Sequence, residues 1–189
     1  MRSDSDRRRL TEGLVYLALF TLTIPAANWM IGHVGTACVP NGPCIIPVAP
    51  GLSAPSAVLV VGLAFVLRDL VQRRLGARIG FVAIAIGAAL SAVLAPPQIV
   101  VASTTAFLLS EIADFAVYTP LQRRRFVLAV VLSSLAGIVV DSAIFLHLAF
   151  GSLDFLLGQI VGKAWMVLAA IPFAAWLRRR DARLGLMPA

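Results

Sequence analysis

The sequence predicts an all-α polytopic membrane protein. Six transmembrane helices form a single domain over residues 1–189, with the N- and C-termini both cytoplasmic. Three observations predict it. Hydrophobic residues make up 60% of the chain and charged residues only 13%, with a mean hydropathy of +0.93. A soluble domain sits near half apolar and about a quarter charged, so the soluble classes drop out. Six apolar segments follow one another, and the arginines cluster at alternate ends of them.

The first segment is Gly13–Val34, preceded by "MRSDSDRRRL". A basic start before an apolar run resembles a signal peptide. This run is too long for that and lacks a small-x-small cleavage site, so it reads as a retained span. The loop "CVPNGPC" follows, with the only two cysteines, Cys38 and Cys44. A disulfide is permitted if the loop lies outside the cytoplasm, and two free thiols are the alternative. The second segment is Ala54–Leu75 and the third Ile79–Leu94. The third is short and abuts "APP", Ala95–Pro97. The prolines end one helix and start the next, which predicts a helical hairpin with the fourth segment, Gln98–Tyr118. Phe126–Ala149 and Phe155–Leu177 complete the six. A spanning helix needs about 20 apolar residues at about 1.5 Å each, and all but the third meet that length comfortably.

The fifteen arginines orient the chain. Arg2, Arg7, Arg8 and Arg9 precede segment one, and Arg68, Arg73, Arg74 and Arg78 cluster around the link from two to three. Arg123, Arg124 and Arg125 separate four from five, and Arg178, Arg179, Arg180 and Arg183 follow six. None lies in the other three links, a complete positive-inside pattern. The net charge of +7 is therefore membrane-flanking charge, and nucleic acid is not the expected partner. The partner these clusters imply is the lipid bilayer, with contact to anionic lipid secondary. Small residues in "GAALSA", "LSSLAG" and "GQIVGK" permit close helix approach. Association into a homo-oligomer is left open.

The only lysine, Lys163, falls inside segment six. It is one of several polar side chains at membrane depth. Asn28, Glu111, Asp114, Tyr118, Asp141, Gln159 and Lys163 are the candidate substrate-binding residues, and Arg68, Asp69 and Gln72 are candidates for a gate or ion pair. A central ionised side chain costs about 2.5–3.5 kcal/mol, so Glu111, Asp114, Asp141 and Lys163 together cost on the order of 10 kcal/mol unless paired or neutralised. Asp141 and Lys163 fall about 12 Å below the outer boundary on adjacent segments, which makes an ion pair reasonable. Glu111, Asp114 and Tyr118 share one helix face by their spacing of three and four. Two carboxylates one turn apart repel unless a cation or donor comes between them. Trp29, Phe115, Phe145 and Trp165 flank these positions and serve packing or the face of a planar ligand.

Enzyme motifs are missing. "GQIVGKA" is too short between its glycines for a phosphate loop, and Ala follows the lysine where Ser or Thr is needed. No metal-spaced His/Glu set and no Ser–His–Asp context is present. The expectation is a non-enzyme with no cofactor and no metal.

The chain resembles the vitamin uptake transporter family, the queuosine precursor transporters. The residues that carry the resemblance are "AANWM", "LRDLVQRRLG", "SEIADFAVYTPLQRR", "GIVVDSAIFLHLAFG" and "GQIVGK". It implies a small six-span inner-membrane importer of queuosine precursors, the 7-deazaguanine-type bases. It also implies that Asn28, Arg68, Asp69, Glu111, Asp114, Asp141 and Lys163 occupy the family's polar positions. A planar deazapurine suits them chemically. A carboxylate accepts a ring N–H and an exocyclic amino group together, and Asn28 or Gln159 can read the carbonyl edge. Transport is then expected as a facilitator or a proton-coupled carrier. The alternatives are a substrate-binding subunit of an energy-coupling-factor vitamin importer, and a structural or assembly protein without a ligand.

Overall fold

The computed structural model describes residues 4–39 and 42–186. Arg2, placed above in the first basic cluster, lies outside them. Among the described residues the chain forms six helices and one small sheet. The order is α1 (Asp4–His33), β1 (Ala37–Cys38), β2 (Cys44–Ala49), β3 (Leu52–Pro55), α2 (Val58–Leu75), α3 (Ala77–Leu94), α4 (Val100–Leu121), α5 (Phe126–Phe150) and α6 (Leu156–Leu184).

Five of the six helices are long and apolar enough to cross a membrane; the exception is α2 and not, as segment length suggested, the third segment, whose helix α3 qualifies. Its 18 residues include Arg68, Asp69, Arg73 and Arg74. Thirteen of those residues are buried, the four charged ones included. Hydrocarbon cannot solvate charge, so this helix sits in the middle and α1, α3, α4, α5 and α6 pack around it. The outer helices present their apolar side chains outward: Leu22, Val93, Val101 and Leu157 are all more than 60% exposed.

Local signals place the helix ends. A single residue, Gly76, joins α2 to α3 at φ 90°, a backbone region that side chains disfavour. Its N–H still donates to the Gln72 carbonyl at 2.8 Å. Pro96 and Pro97 stand between α3 and α4, which pack as the expected hairpin. The Ser91 and Ser103 hydroxyls tie it together at 3.0 Å. The expected segment boundaries shift, most at the start of α1 and the end of α6, which run past the apolar stretches into the arginine clusters.

The all-α expectation needs one correction. The link between α1 and α2 folds as a three-stranded antiparallel sheet in the order β1-β2-β3, and Ala54, placed in the second segment, belongs to β3. "PVAPG" is a short β run closed by a Pro-Gly turn, with Gly51 at φ 72°. Cys38 and Cys44 face each other across β1 and β2 and are disulfide-bonded. The sheet is anchored to the bundle. Trp165 Nε1 donates to the Val48 carbonyl at 2.9 Å, and Ser56 Oγ donates to the Met30 carbonyl at 2.8 Å.

Glycines set the crossing of α2 on α6. A methyl group at Gly62 would meet the Lys163 backbone, and one at Gly162 would stand 2.6 Å from Val58 Cγ2. Gly62→Leu is expected to destabilise the protein by about 1–3 kcal/mol through overpacking. Gly32 has open space where a Cβ would go, so Gly32→Ala should leave the melting temperature in detergent unchanged while Gly62→Leu lowers it.

Candidate functional site

The polar residues of α2 and α4 converge on one side chain. Arg68 is fully buried. Its Nε donates to Glu111 Oε2 at 3.2 Å, and its Nη1 to Gln72 Oε1 at 2.8 Å. Nη2 pairs with Asp69 Oδ1 at 2.8 Å and with Asp114 Oδ1. The guanidinium lies 5.4 Å from the Tyr118 ring centroid and 5.8 Å from that of Phe115. Asp69 accepts a further hydrogen bond from Ser133 of α5 at 3.0 Å, and Gln72 donates to Thr119 of α4 at 3.0 Å. The cation that the spacing of Glu111 and Asp114 calls for is therefore Arg68. It is a buried hub, not a residue reaching to the membrane surface.

Three carboxylates face this one guanidinium. If all three are ionised, the cluster carries two surplus negative charges. Asp114 Oδ2 and Tyr118 Oη are buried without a hydrogen-bond partner among the described residues.

A second cation sits near the start of α6. Lys163 Nζ donates to Asp141 Oδ2 at 2.6 Å, to Ser142 Oγ at 2.8 Å and to Gln159 Oε1. The Asp141–Lys163 pair expected from depth is present. All three ammonium hydrogens have acceptors, which is what a buried lysine requires.

Between these two centres lies a cavity of ≈ 80 Å³. Its polar lining is Asn28, Glu111, Asp141, Gln159 and Lys163, with Ser91, Ser103 and Ser110. Phe65, Phe107 and Phe145 supply aromatic wall. Arg68 does not line it, but holds the lining residue Glu111 through its Nε. Five of the candidate binding residues thus share one cavity. Asp114 and Tyr118 do not line it and lie beside Arg68.

Of the four aromatic residues singled out in sequence, Phe145 lines the cavity. Trp29 is exposed and stacks on His33, and Trp165 is also exposed and bonds the sheet. Phe115 packs against Arg68 and Phe81. Phe65 and Phe107 escaped notice because nothing distinguishes them from packing residues in an apolar run.

A further ion cluster closes the end of the bundle where α1 begins and α6 ends. Arg73 donates to Asp181 Oδ2 from Nε at 3.1 Å and from Nη2 at 2.8 Å. Arg74 grips both Asp181 oxygens at 2.9 and 2.7 Å and reaches Glu12 at 2.8 Å. Arg180 holds Glu12 at 2.5 and 2.6 Å. This cluster joins α1, α2 and α6. The charge count read Arg73, Arg74 and Arg180 as interfacial and passed over Glu12 and Asp181. For Asp181 the signal was there, a lone acid within the basic run Arg178–Arg183.

Residues 88–177 match the family model described as "Putative vitamin uptake transporter". The resemblance read from the sequence is shown over that stretch, a little under half of the chain. It holds Glu111, Asp114, Tyr118, Asp141, Gln159 and Lys163, while Asn28, Arg68, Asp69 and Gln72 lie outside it. No curated protein and no solved structure matches the chain.

Two predictions follow the charge geometry. Arg68→Ala leaves three buried carboxylates uncompensated and is expected to cost at least about 3–5 kcal/mol. Adding Asp69→Asn and Asp114→Asn should recover part of the loss, read as monodisperse yield and melting temperature in detergent. Asp181→Asn leaves the buried Arg73 guanidinium without a carboxylate and Arg74 with Glu12 alone, and should lower the melting temperature, whereas Asp154→Asn, in an exposed link, should not.

Proposed function

We propose that the chain is a six-span inner-membrane importer of planar 7-deazaguanine-type bases, the queuosine precursors. Both termini are cytoplasmic, and α2 crosses the membrane in the shelter of the other five helices. The match to vitamin uptake transporters supports transport of a small molecule. The observation that carries the reading is the cavity, where Glu111, Asp141, Gln159, Lys163 and Asn28 meet inside apolar walls.

The chemistry of the lining suits such a base. Arg68 holds Glu111 by Oε2 and so orients its carboxylate. A carboxylate has about four lone-pair directions, so Glu111 can keep this bond and still accept a ring N–H and an exocyclic amino group. Asn28 and Gln159 carry amide groups for the carbonyl edge, and the phenylalanine walls suit a flat face. The Lys163–Asp141 pair presents charge of both signs beside the ring.

Transport then proceeds by alternating access. The Arg73–Arg74–Asp181–Glu12–Arg180 cluster lies on the cytoplasmic side of the cavity, and inward opening separates α1, α2 and α6 there. Surplus carboxylates around Arg68 are what a proton-coupled carrier needs, because proton and substrate can then compete for the same group.

The test is uptake of labelled queuosine precursors into cells that lack their own synthesis and import. The wild-type gene should confer uptake, and Glu111→Gln should remove it while leaving the protein folded. Uptake that ignores a collapsed proton gradient would exclude the coupling. A folded protein that confers none would sink the importer reading. A second reading is favoured by the family's description: the substrate-binding subunit of an energy-coupling-factor vitamin importer. It requires an ATPase partner, so uptake into proteoliposomes holding this chain alone would exclude it.

A further inference from the structure

The arginines at the cytoplasmic ends fall into two groups. Arg73, Arg74 and Arg180 are met by Glu12 and Asp181. Arg124, Arg125 and Arg178 are exposed, and no carboxylate among the described residues lies within ion-pair distance of them. These three line one groove, together with Val127, Leu128 and Val131. It joins the α4–α5 link to the end of α6.

The start of α5 adds an independent feature. Its N-cap is Arg125, no side chain caps the helix, and its first turn contains no acid. The first backbone bond at this end runs from the Ala129 N–H to the Arg125 carbonyl, so the amides of Phe126, Val127 and Leu128 have no intrahelical partner. The positive end of a 25-residue helix thus begins at two of these uncompensated guanidinium groups, Arg124 and Arg125, with Arg178 lining the same groove. That combination favours a phosphate. The groove floor argues for which phosphate. Val127 and Val131 are four residues apart and Leu128 and Val131 three apart, so they form one apolar face of α5. A soluble anion has no use for such a face, whereas an acyl chain does.

We propose that this groove binds an anionic phospholipid of the inner leaflet, its phosphate on Arg124, Arg125, Arg178 and the open α5 amides, with an acyl chain along Leu128 and Val131. The lipid bridges α5 and α6 where no protein ion pair does so.

The test measures binding of fluorescent dioleoyl-phosphatidylglycerol to the purified full chain, with dioleoyl-phosphatidylcholine and inorganic phosphate as competitors. Each arginine near an anionic lipid contributes about five-fold in affinity, so Arg124→Gln/Arg125→Gln/Arg178→Gln should weaken binding on the order of 100-fold. Arg7→Gln/Arg8→Gln/Arg9→Gln removes the same charge elsewhere on the cytoplasmic side and should leave affinity unchanged. An equal loss in that control would reduce the effect to diffuse attraction and overturn the site. Full displacement by phosphatidylcholine or by inorganic phosphate would overturn it as well. A readout on the wild type covers a triple variant that does not fold. Phosphatidylglycerol with a photoreactive acyl chain should label the peptide carrying Leu128 and Val131, and labelling confined to other peptides counts against the proposal.

Discussion

One guanidinium organises this protein. Arg68 stands on a helix too polar to face lipid, and it gathers Asp69, Glu111 and Asp114 around itself. A charge cluster of this kind inside a bilayer survives only if protein surrounds it. That requirement puts α2 at the centre of the bundle and wraps the apolar helices about it. The pairing is strong in geometry, but its net contribution to stability is modest, because desolvating four ionisable groups offsets much of the Coulomb gain. What it secures is arrangement: it fixes the rotation of α2 against α4 and the direction in which Glu111 points.

The remaining charges follow the same logic in layers. Lys163 and Asp141 are matched one to one in the outer half, with Ser142 and Gln159 completing the ammonium's needs. The cluster at the other end sets three arginines, Arg73, Arg74 and Arg180, against two acids, Asp181 and Glu12. Between the outer pair and the Arg68 hub the helices do not fill the space, and the cavity results. Its polar lining consists of the faces of groups already engaged in pairing, so a ligand meets preoriented donors and acceptors, which lowers the ordering cost of binding.

Close packing makes this geometry stiff where it must be. At Gly62 and Gly162, α2 and α6 approach too closely for a side chain, which holds Lys163 against the cavity wall. The sheet braces the outer end by joining α6 through Trp165 and α1 through Ser56. The opposite end is joined by ions instead. Ion pairs exchange partners or water more readily than interlocked glycine contacts do, so under the proposed transport the ion-paired end is the better place for a moving closure.

Six helices, their order, the hairpin at Pro96–Pro97 and the arginine clusters flanking the helices were legible from apolar run length and charge placement, because lipid imposes those patterns on local sequence. The ionisable residues at membrane depth were legible for the same reason: charge in an apolar run is visible without a fold. The Asp141–Lys163 pair could be reached by counting residues along neighbouring helices. The partner of Glu111 and Asp114 could not. Arg68 looked interfacial because its depth along α2 was known but its rotation was not, and burial depends on rotation. Glu12 and Asp181 were hidden among arginines for the same reason. The sheet was missed because its strands are only two to six residues long and carry no clean alternation. Sequence alone determined what must avoid lipid. Only the tertiary structure decided which charge meets which, because pairing depends on distances between segments far apart in the chain, and no local pattern encodes those.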